Sequence, residues 1–350
     1  MAERIRVLMI TSVWPAPGMS RTAHFIKRQA DFLEAAGIDV DVFYFKGAKN
    51  PFNYLKAWLR LRAKLRGERY DLAHAQFGQS GVLALPKRMP LVVTFRGSDV
   101  LGIVGDSDGR YTRATHILQG LSRLVARSAD AVILVSEHMK DFIPSSIKAH
   151  VIPSGIDFKL FRPVPKDEAR RKLSLDPEER LVLFVGRPTQ ARKRFEISKR
   201  AVEILNERLP ARLVVAWGVA HTEIPLYMNA CDALVFTSMQ EGSPNVVKEA
   251  LACNLPVVSV PVGDVALRLE GVEGCELCAD DRPETIADAL ERVLRRGERI
   301  DGRTSVKDLD ESLLTEKVIG IYRSVIEGRA GAAQSSARVV SRITETSQST

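Results

Sequence analysis

The sequence predicts an α/β protein of two Rossmann-like domains, each built on a parallel sheet. Three observations carry that expectation. The chain has 350 residues, long for one hydrophobic core and better suited to two. Short apolar runs of strand length alternate with amphipathic helical stretches over most of it, the pattern of repeated βαβ units. Midway, Val151-Ile152-Pro153-Ser154-Gly155-Ile156-Asp157 and then Phe161-Arg162-Pro163 break the alternation with the Pro and Gly content of a domain boundary.

Residues 4–12 form the first strand. The loop Trp14-Pro15-Ala16-Pro17-Gly18-Met19-Ser20-Arg21 leads to a helix over 23–36, capped by Ser20 or Thr22, with Phe25, Ile26, Phe32 and Leu33 on its apolar face. Gly37 ends it, and 40–45 is the second strand. This start lacks the G-x-G-x-x-G of a dinucleotide site. Residues 53–66 are helical, with Lys56, Arg60 and Lys64 sharing a face at i, i+4 spacing. Such a helix can lie on an anionic membrane, and it reads equally as a surface helix with a solvated charged side. Residues 70–76 make a third strand carrying His74, with a turn over 78–81 at its C-terminal end, where α/β sheets put ligands. Residues 91–95 are a further strand, followed by Arg96-Gly97-Ser98-Asp99. A basic helix spans 110–127, a strand 131–135, and Ser136 opens another helix.

The second half opens on the apolar strand 181–185, of parallel type. After Gly186-Arg187-Pro188-Thr189-Gln190, residues 191–195 enter a helix running to about 209. Arg187, Arg192, Lys193 and Arg194 surround this one βα turn, where paired cations and helix N–H groups suit a diphosphate. A strand over 212–217 and a helix over 221–230 follow. Then comes a βαβ unit: strand 233–236, the polar turn Ser238-Met239-Gln240-Glu241-Gly242-Ser243-Pro244-Asn245, helix 246–253 and strand 257–260. A helix starting near Asn245 aims its free N–H groups into that turn. Glu241 precedes the helix, and Glu249 lies two turns along it. Two acids flanking a phosphate-sized site are poor phosphate ligands but good acceptors for sugar hydroxyls, which suggests a nucleotide sugar. The plain alternative is an ordinary βα turn with a surface Glu at each end. Helices over 283–296 and 312–327 close the folded part.

Composition narrows the partners. Hydrophobic residues make up 45% and charged residues 27% of the chain, as in soluble globular proteins. No run of 18 apolar residues is present, so no transmembrane helix is expected. The apolar run 7–13 is only a strand's length and no small-residue cleavage site follows it, so it reads as a strand and not a leader. Cys231, Cys253, Cys275 and Cys278 do not make a zinc pattern, and the cytoplasm is the expected compartment. The net charge of +8 leaves nucleic acid, an anionic membrane face or a phosphorylated substrate open. With no nucleic-acid module motif and only 6% aromatics, nucleic acid is not an expected partner.

The stretch from Glu241 to Glu249, with DALVFTS before it, ALACNLPVV after it and then Pro261-Val262-Gly263-Asp264, resembles the E-x7-E signature of the retaining glycosyltransferases of family GT4, which have the GT-B fold. The resemblance runs over roughly residues 4 to 325. It implies two domains facing across a cleft, with a C-terminal helix crossing back to the first. The implied bounds are 1–160 for the acceptor side, 161–311 for the nucleotide-sugar side, 312–328 for the crossover helix and 329–350 for a disordered tail. It implies transfer of a sugar, with retention, from a UDP- or GDP-linked donor to a hydroxyl of a carbohydrate or lipid-linked acceptor. Polysaccharide or glycolipid assembly at the cytoplasmic face of a membrane is the setting it suggests, with residues 53–66 as the membrane contact. The donor-binding residues carried over are Gly18, Arg187, Lys193, Glu241, Gly242, Ser243, Asn245, Val246 and Glu249, with Arg187 and Lys193 matching the family's Gly-Arg…Lys phosphate pair. Catalysis falls on Arg96, Glu241, Arg187 and Lys193, and the acceptor side on Asp99 and His74. No cofactor and no metal are expected, since no D-x-D motif follows a strand. One departure stands out. The family's acceptor loop is commonly His-Gly-Ser-Asp, and here Arg96 takes the histidine's place. Arginine cannot act as a base, though it can hold the diphosphate or an anionic acceptor. A nucleotide-sugar binding protein without transferase activity and a GT-B epimerase therefore stay open.

Overall fold

The computed structural model describes residues 4–15, 24–47, 50–106 and 108–347, with side chains to 329. Six parallel strands form the first sheet: β1 (Arg6–Thr11), β2 (Asp39–Tyr44), β3 (Leu72–Gln76), β4 (Leu91–Phe95), β5 (Ala131–Leu134) and β6 (Ala149–Val151), in spatial order β2-β1-β3-β4-β5-β6. Five parallel strands form the second: β7 (Leu181–Val185), β8 (Arg212–Ala216), β9 (Ala233–Phe236), β10 (Val257–Ser259) and β11 (Glu276–Leu277), in order β11-β10-β9-β7-β8. β3, β4 and β5 are buried at every position, as expected of parallel strands covered on both faces.

Helix placement follows from handedness. The chain steps one way from β1 to β2 and the other way from β2 through β3, β4 and β5. Right-handed crossovers then put helix His24–Ala35 on one face, and helices Pro51–Gly67 and Ala114–Ser128 on the other. The core splits accordingly. Val7 and Met9 of β1 pack with Ile26 and Leu33. Leu8 and Ile10, facing the opposite way, pack with Ala57, Leu61 and Val125. Leu33 and Leu61 are fully buried; trimming either to Ala costs about 2–5 kcal/mol.

The last helix, Glu311–Ser347, crosses back onto the first domain. Its start is stitched to the boundary segment: Glu311 N–H donates to Ile156 C=O at 3.0 Å. Further along, Tyr322 is fully buried against His74 of β3. The helix runs past 328 through most of the stretch expected to be a disordered tail; that stretch contains no proline, so nothing local stops it. A second correction concerns 191–209. Arg194, at φ 49°, splits the expected helix into a 3₁₀ turn, Ala191–Lys193, and a helix, Phe195–Asn206. The left-handed residue lets the cationic turn fold back over β9: Thr237 Oγ1 donates to Lys193 C=O at 3.0 Å. The segment after Ser136 is likewise a 3₁₀ turn, Glu137–Phe142, and 78–81 is a short helix.

Candidate active site

Loops at the C-terminal ends of β4, β7 and β9 face each other across a cleft of about 420 Å³, within the size range of small-molecule sites. Two glycines meet where the domains touch. Gly97 needs to be glycine for its backbone, at φ 134°; a Cβ on it would stand in ordinary contact, 3.5 Å from the Gly242 nitrogen. A Cβ on Gly242 would meet Val135 Cγ2 at 2.9 Å.

On the second domain, the turn after β9 and helix Asn245–Ala252 supply Glu241, Gly242, Ser243, Asn245, Val246 and Glu249, all lining the cleft. The first amides of that helix have no partner within it, and the Asn245 Oδ1 is buried without one. Ser243 Oγ donates to Asp264 Oδ2 at 2.8 Å, which holds the turn. Lys193 Nζ donates to Glu241 Oε1 at 2.7 Å, and Arg192 donates to the same oxygen. Burial alone would raise the Glu241 carboxyl, but Lys193 and Arg192 outweigh it and hold the group below its ordinary range. Glu249 is buried, 3.3 Å from His221 Nε2 and 3.7 Å from Arg28 Nη1. It too is held ionised: burial pushes up, while His221 and Arg28 pull down further.

The expected phosphate pair is half in place. Lys193 lines the cleft and Arg187 does not. Arg187 is exposed, its Nε on Thr189 Oγ1 at 2.8 Å and its guanidinium 5.8 Å from the Trp217 ring centre. Arg192 occupies the position beside Lys193 instead. Gly18 lies outside the described residues.

Arg96 lines the cleft from the first domain, but its fork is already committed. Nε and Nη2 donate to Gln76 Oε1 at 3.0 and 2.6 Å, Nη2 also to Gln29 Oε1 at 2.8 Å, and Nη1 to Ser154 Oγ at 2.7 Å. Phe25 stacks against it at 4.9 Å. Every one of these hydrogen-bond partners is neutral, while the Glu311 and Asp99 carboxylates lie near enough to offset part of the charge. Asp99 is buried and accepts from the backbone N–H groups of Gly78, Arg96 and Gly97. It fixes the loop and does not reach the acceptor space. His74 is a second correction to the acceptor side: it is fully buried, bridging Tyr322 Oη at 2.6 Å and Thr94 Oγ1 at 2.8 Å. Burial and the Arg96 charge push it down to about 3, so it is neutral.

Sequence reasoning missed two cleft residues on helix His24–Ala35. Arg28, only 8% exposed, donates to Glu311 Oε2 at 2.9 Å and to Gly155 C=O, and faces Glu249. His24 stacks on His221 with ring centres 4.5 Å apart. The available signal was Arg28's position: three residues from Phe25 and four from Phe32, it shares their inward face. The cleft thus sets four cations (Arg28, Arg96, Arg192 and Lys193) against two carboxylates.

Comparison with known proteins identifies the family and the fold. Residues 22–160 match the model of Glycosyltransferase Family 4, and residues 216–296 that of Glycosyl transferases group 1. TuaC of Bacillus subtilis, assigned as a teichuronic acid biosynthesis glycosyltransferase, is 27% identical over 322 residues, covering 81% of this chain and 80% of that protein. The D-inositol 3-phosphate glycosyltransferase of Actinosynnema mirum is 32% identical over 283 residues, covering 67% of this chain and 66% of that protein. The Mycobacterium marinum enzyme of the same name is 29% identical, and the chain spans 58% of its length. Among solved structures, the sucrose-phosphate synthase from Thermosynechococcus elongatus superposes with a TM-score of 0.77 at 20% identity, over 93% of this chain and all of that one. Anabaena HepE, solved with UDP and glucose, gives 0.67 at 16% identity, over 92% of this chain and all of that one. With both domains matched and the two-sheet architecture shared, the chain belongs to glycosyltransferase family 4 and has the GT-B fold.

Proposed function

We propose that this glycosyltransferase moves a sugar from a UDP- or GDP-linked donor to a hydroxyl, with retention at the anomeric carbon. The observation that carries the reading is the convergence of Lys193 and Arg192 on Glu241 at the mouth of helix Asn245–Ala252, with Glu249 two turns further in. A nucleoside diphosphate brings the negative charge that four cations against two carboxylates call for.

In this reading the diphosphate lies against Lys193, Arg192 and the amides of Asn245 and Val246. It displaces Glu241 from the two cations and frees that carboxylate to accept from the sugar's hydroxyls. Arg187 joins the phosphates by leaving Thr189 and Trp217. Glu249, already ionised, accepts from the ribose hydroxyls. Breaking the C–O bond builds negative charge on the leaving phosphate, and the cations stabilise it where it forms. Arg96, locked by Gln76, Gln29 and Ser154, acts through its fixed charge and not as a base. The acceptor's proton passes on the same face to the departing phosphate oxygen. The side-chain cations supply the charge stabilisation a divalent metal would otherwise give. The acceptor is a carbohydrate or lipid-linked hydroxyl of polysaccharide or glycolipid assembly, an expectation the TuaC similarity supports.

The test is a panel of UDP- and GDP-sugars assayed for nucleoside diphosphate release, with the product's anomeric configuration read by NMR. Release with an inverted product would refute retention. Tight donor binding with no turnover, with or without acceptors, would refute transfer.

A further inference from the structure

We infer that the first domain holds a buried anion site of halide size between helix Pro51–Gly67 and the loop 85–90, with the Arg62 guanidinium as its main ligand. Arg62 is only 7% exposed. Its Nη2 donates to Pro86 C=O at 3.0 Å, and its guanidinium lies 5.1 Å from the Trp58 ring centre. Nε and Nη1 are buried with no hydrogen-bond partner. Burial and the nearby Arg88 charge both push the group below its ordinary range, and among the described residues no carboxylate pulls it back. A buried charge with two unmet donor atoms is costly unless something outside the chain supplies the acceptor.

A cavity of about 10 Å³ lies beside it, room for one water-sized guest and too small for a phosphate or a sugar. Leu8 of β1, Leu61 and Leu65 of the helix and Met89 of the loop give it aliphatic walls. Arg62 and Arg88 are the charged side chains lining it, and no hydroxyl, amide or carboxylate side chain joins them. Arginine donates and never accepts. A water here could accept from Arg62, but its own two hydrogens would face aliphatic groups. A halide only accepts, so it matches a lining whose polar side chains only donate.

Chloride is the anion of that size and charge in ordinary supply. Held here, it offsets the Arg62 and Arg88 charges and fastens the helix to the loop 85–90. It adds to two contacts already made there, Trp58 Nε1 to Leu85 C=O at 2.8 Å and Arg62 to Pro86 C=O. That loop leads into β4, whose far end carries Arg96. The site lies across the first sheet from helix His24–Ala35, whose Arg28 faces the cleft. It is therefore separate from the four cleft cations, and the inference does not depend on the function proposed above.

The experiment melts the full chain as sodium chloride replaces sodium gluconate at constant ionic strength, gluconate being too large for the cavity. The expected result is a saturable rise in melting temperature, roughly 2–3 °C at about ten times the dissociation constant. R62M, which puts an apolar chain in place of the guanidinium, should lose the rise. R88Q, at an exposed site, should keep it but need about threefold more chloride. A rise that survives in folded R62M puts chloride elsewhere, as among the cleft cations, and overturns the proposal. So does equal stability of wild type in chloride and gluconate. Diffraction from wild-type crystals soaked in sodium bromide needs no variant. An anomalous peak in contact with the Arg62 guanidinium is expected, and density there without anomalous signal, the mark of a water, overturns the proposal. A bromide peak with no chloride-dependent rise means binding at crystal concentration only and overturns it as well.

Discussion

Replacing Lys193 with Gln removes one of the two cations that meet at Glu241, and the structure sets the size of the effect. The side chain is only 13% exposed, so its charge is poorly screened. At roughly 4 Å and an effective dielectric of about 20, one unit-charge pair contributes about 4 kcal/mol. Arg192 remains at the site and water fills part of the space, leaving a loss of about 3 kcal/mol at the transition state, or about 10²-fold in kcat/KM. The loss should fall more on kcat than on nucleotide affinity, because negative charge accumulates on the leaving phosphate as the bond breaks. Stability should change little, since Glu241 keeps Arg192. The assay pairs initial rates of nucleoside diphosphate release with calorimetric titration of UDP and GDP and a thermal melt. A folded K193Q that stays within about threefold of wild-type kcat/KM would refute the placement of the diphosphate on Lys193.

Three further outcomes follow from the same geometry. Glu249→Ala should weaken nucleotide binding about 10- to 100-fold, the loss of charged hydrogen bonds to the ribose, and unchanged affinity by calorimetry would contradict the assignment. His74 is neutral in the fold down to about pH 3, whereas in the unfolded chain it takes a proton below about pH 6.5. The unfolded state then binds more protons between those values, so stability present at neutral pH is lost on acidification, by about 2 kcal/mol between pH 6.5 and 5. Urea unfolding at those two pH values should show that loss in wild type and a smaller one in His74→Gln, and equal losses would contradict it. Gly242→Ala puts a methyl 2.9 Å from Val135 Cγ2 and 3.2 Å from both Arg96 C=O and Met139 Sδ. It should hold the domains apart and lower kcat/KM about tenfold or more through lost alignment; full activity would show that this contact is dispensable.

The layout of strands and helices was legible because parallel strands buried on both faces must be apolar throughout, as 91–95, 131–134 and 181–185 are. The final helix's return to the first domain rested on family resemblance, since local patterning does not say where a helix docks. Its length was misjudged, because Ala, Ser and Arg can continue a helix as readily as form a tail.

The Glu241 to Glu249 spacing was legible in sequence as eight residues across a turn and a short helix, and the structure excludes the alternative of two surface acids by setting both on the cleft wall. What only the tertiary structure decided is which long side chains meet them. Arg192, not Arg187, stands beside Lys193, because a left-handed residue at Arg194 folds the turn in a way that composition does not encode. Arg28 reaches Glu249 from 221 positions away, and Arg96 is consumed by Gln29, Gln76 and Ser154. Periodicity reports which face of an element is buried; it carries no information about pairings made across two domains, where side-chain rotamers answer to packing and charge.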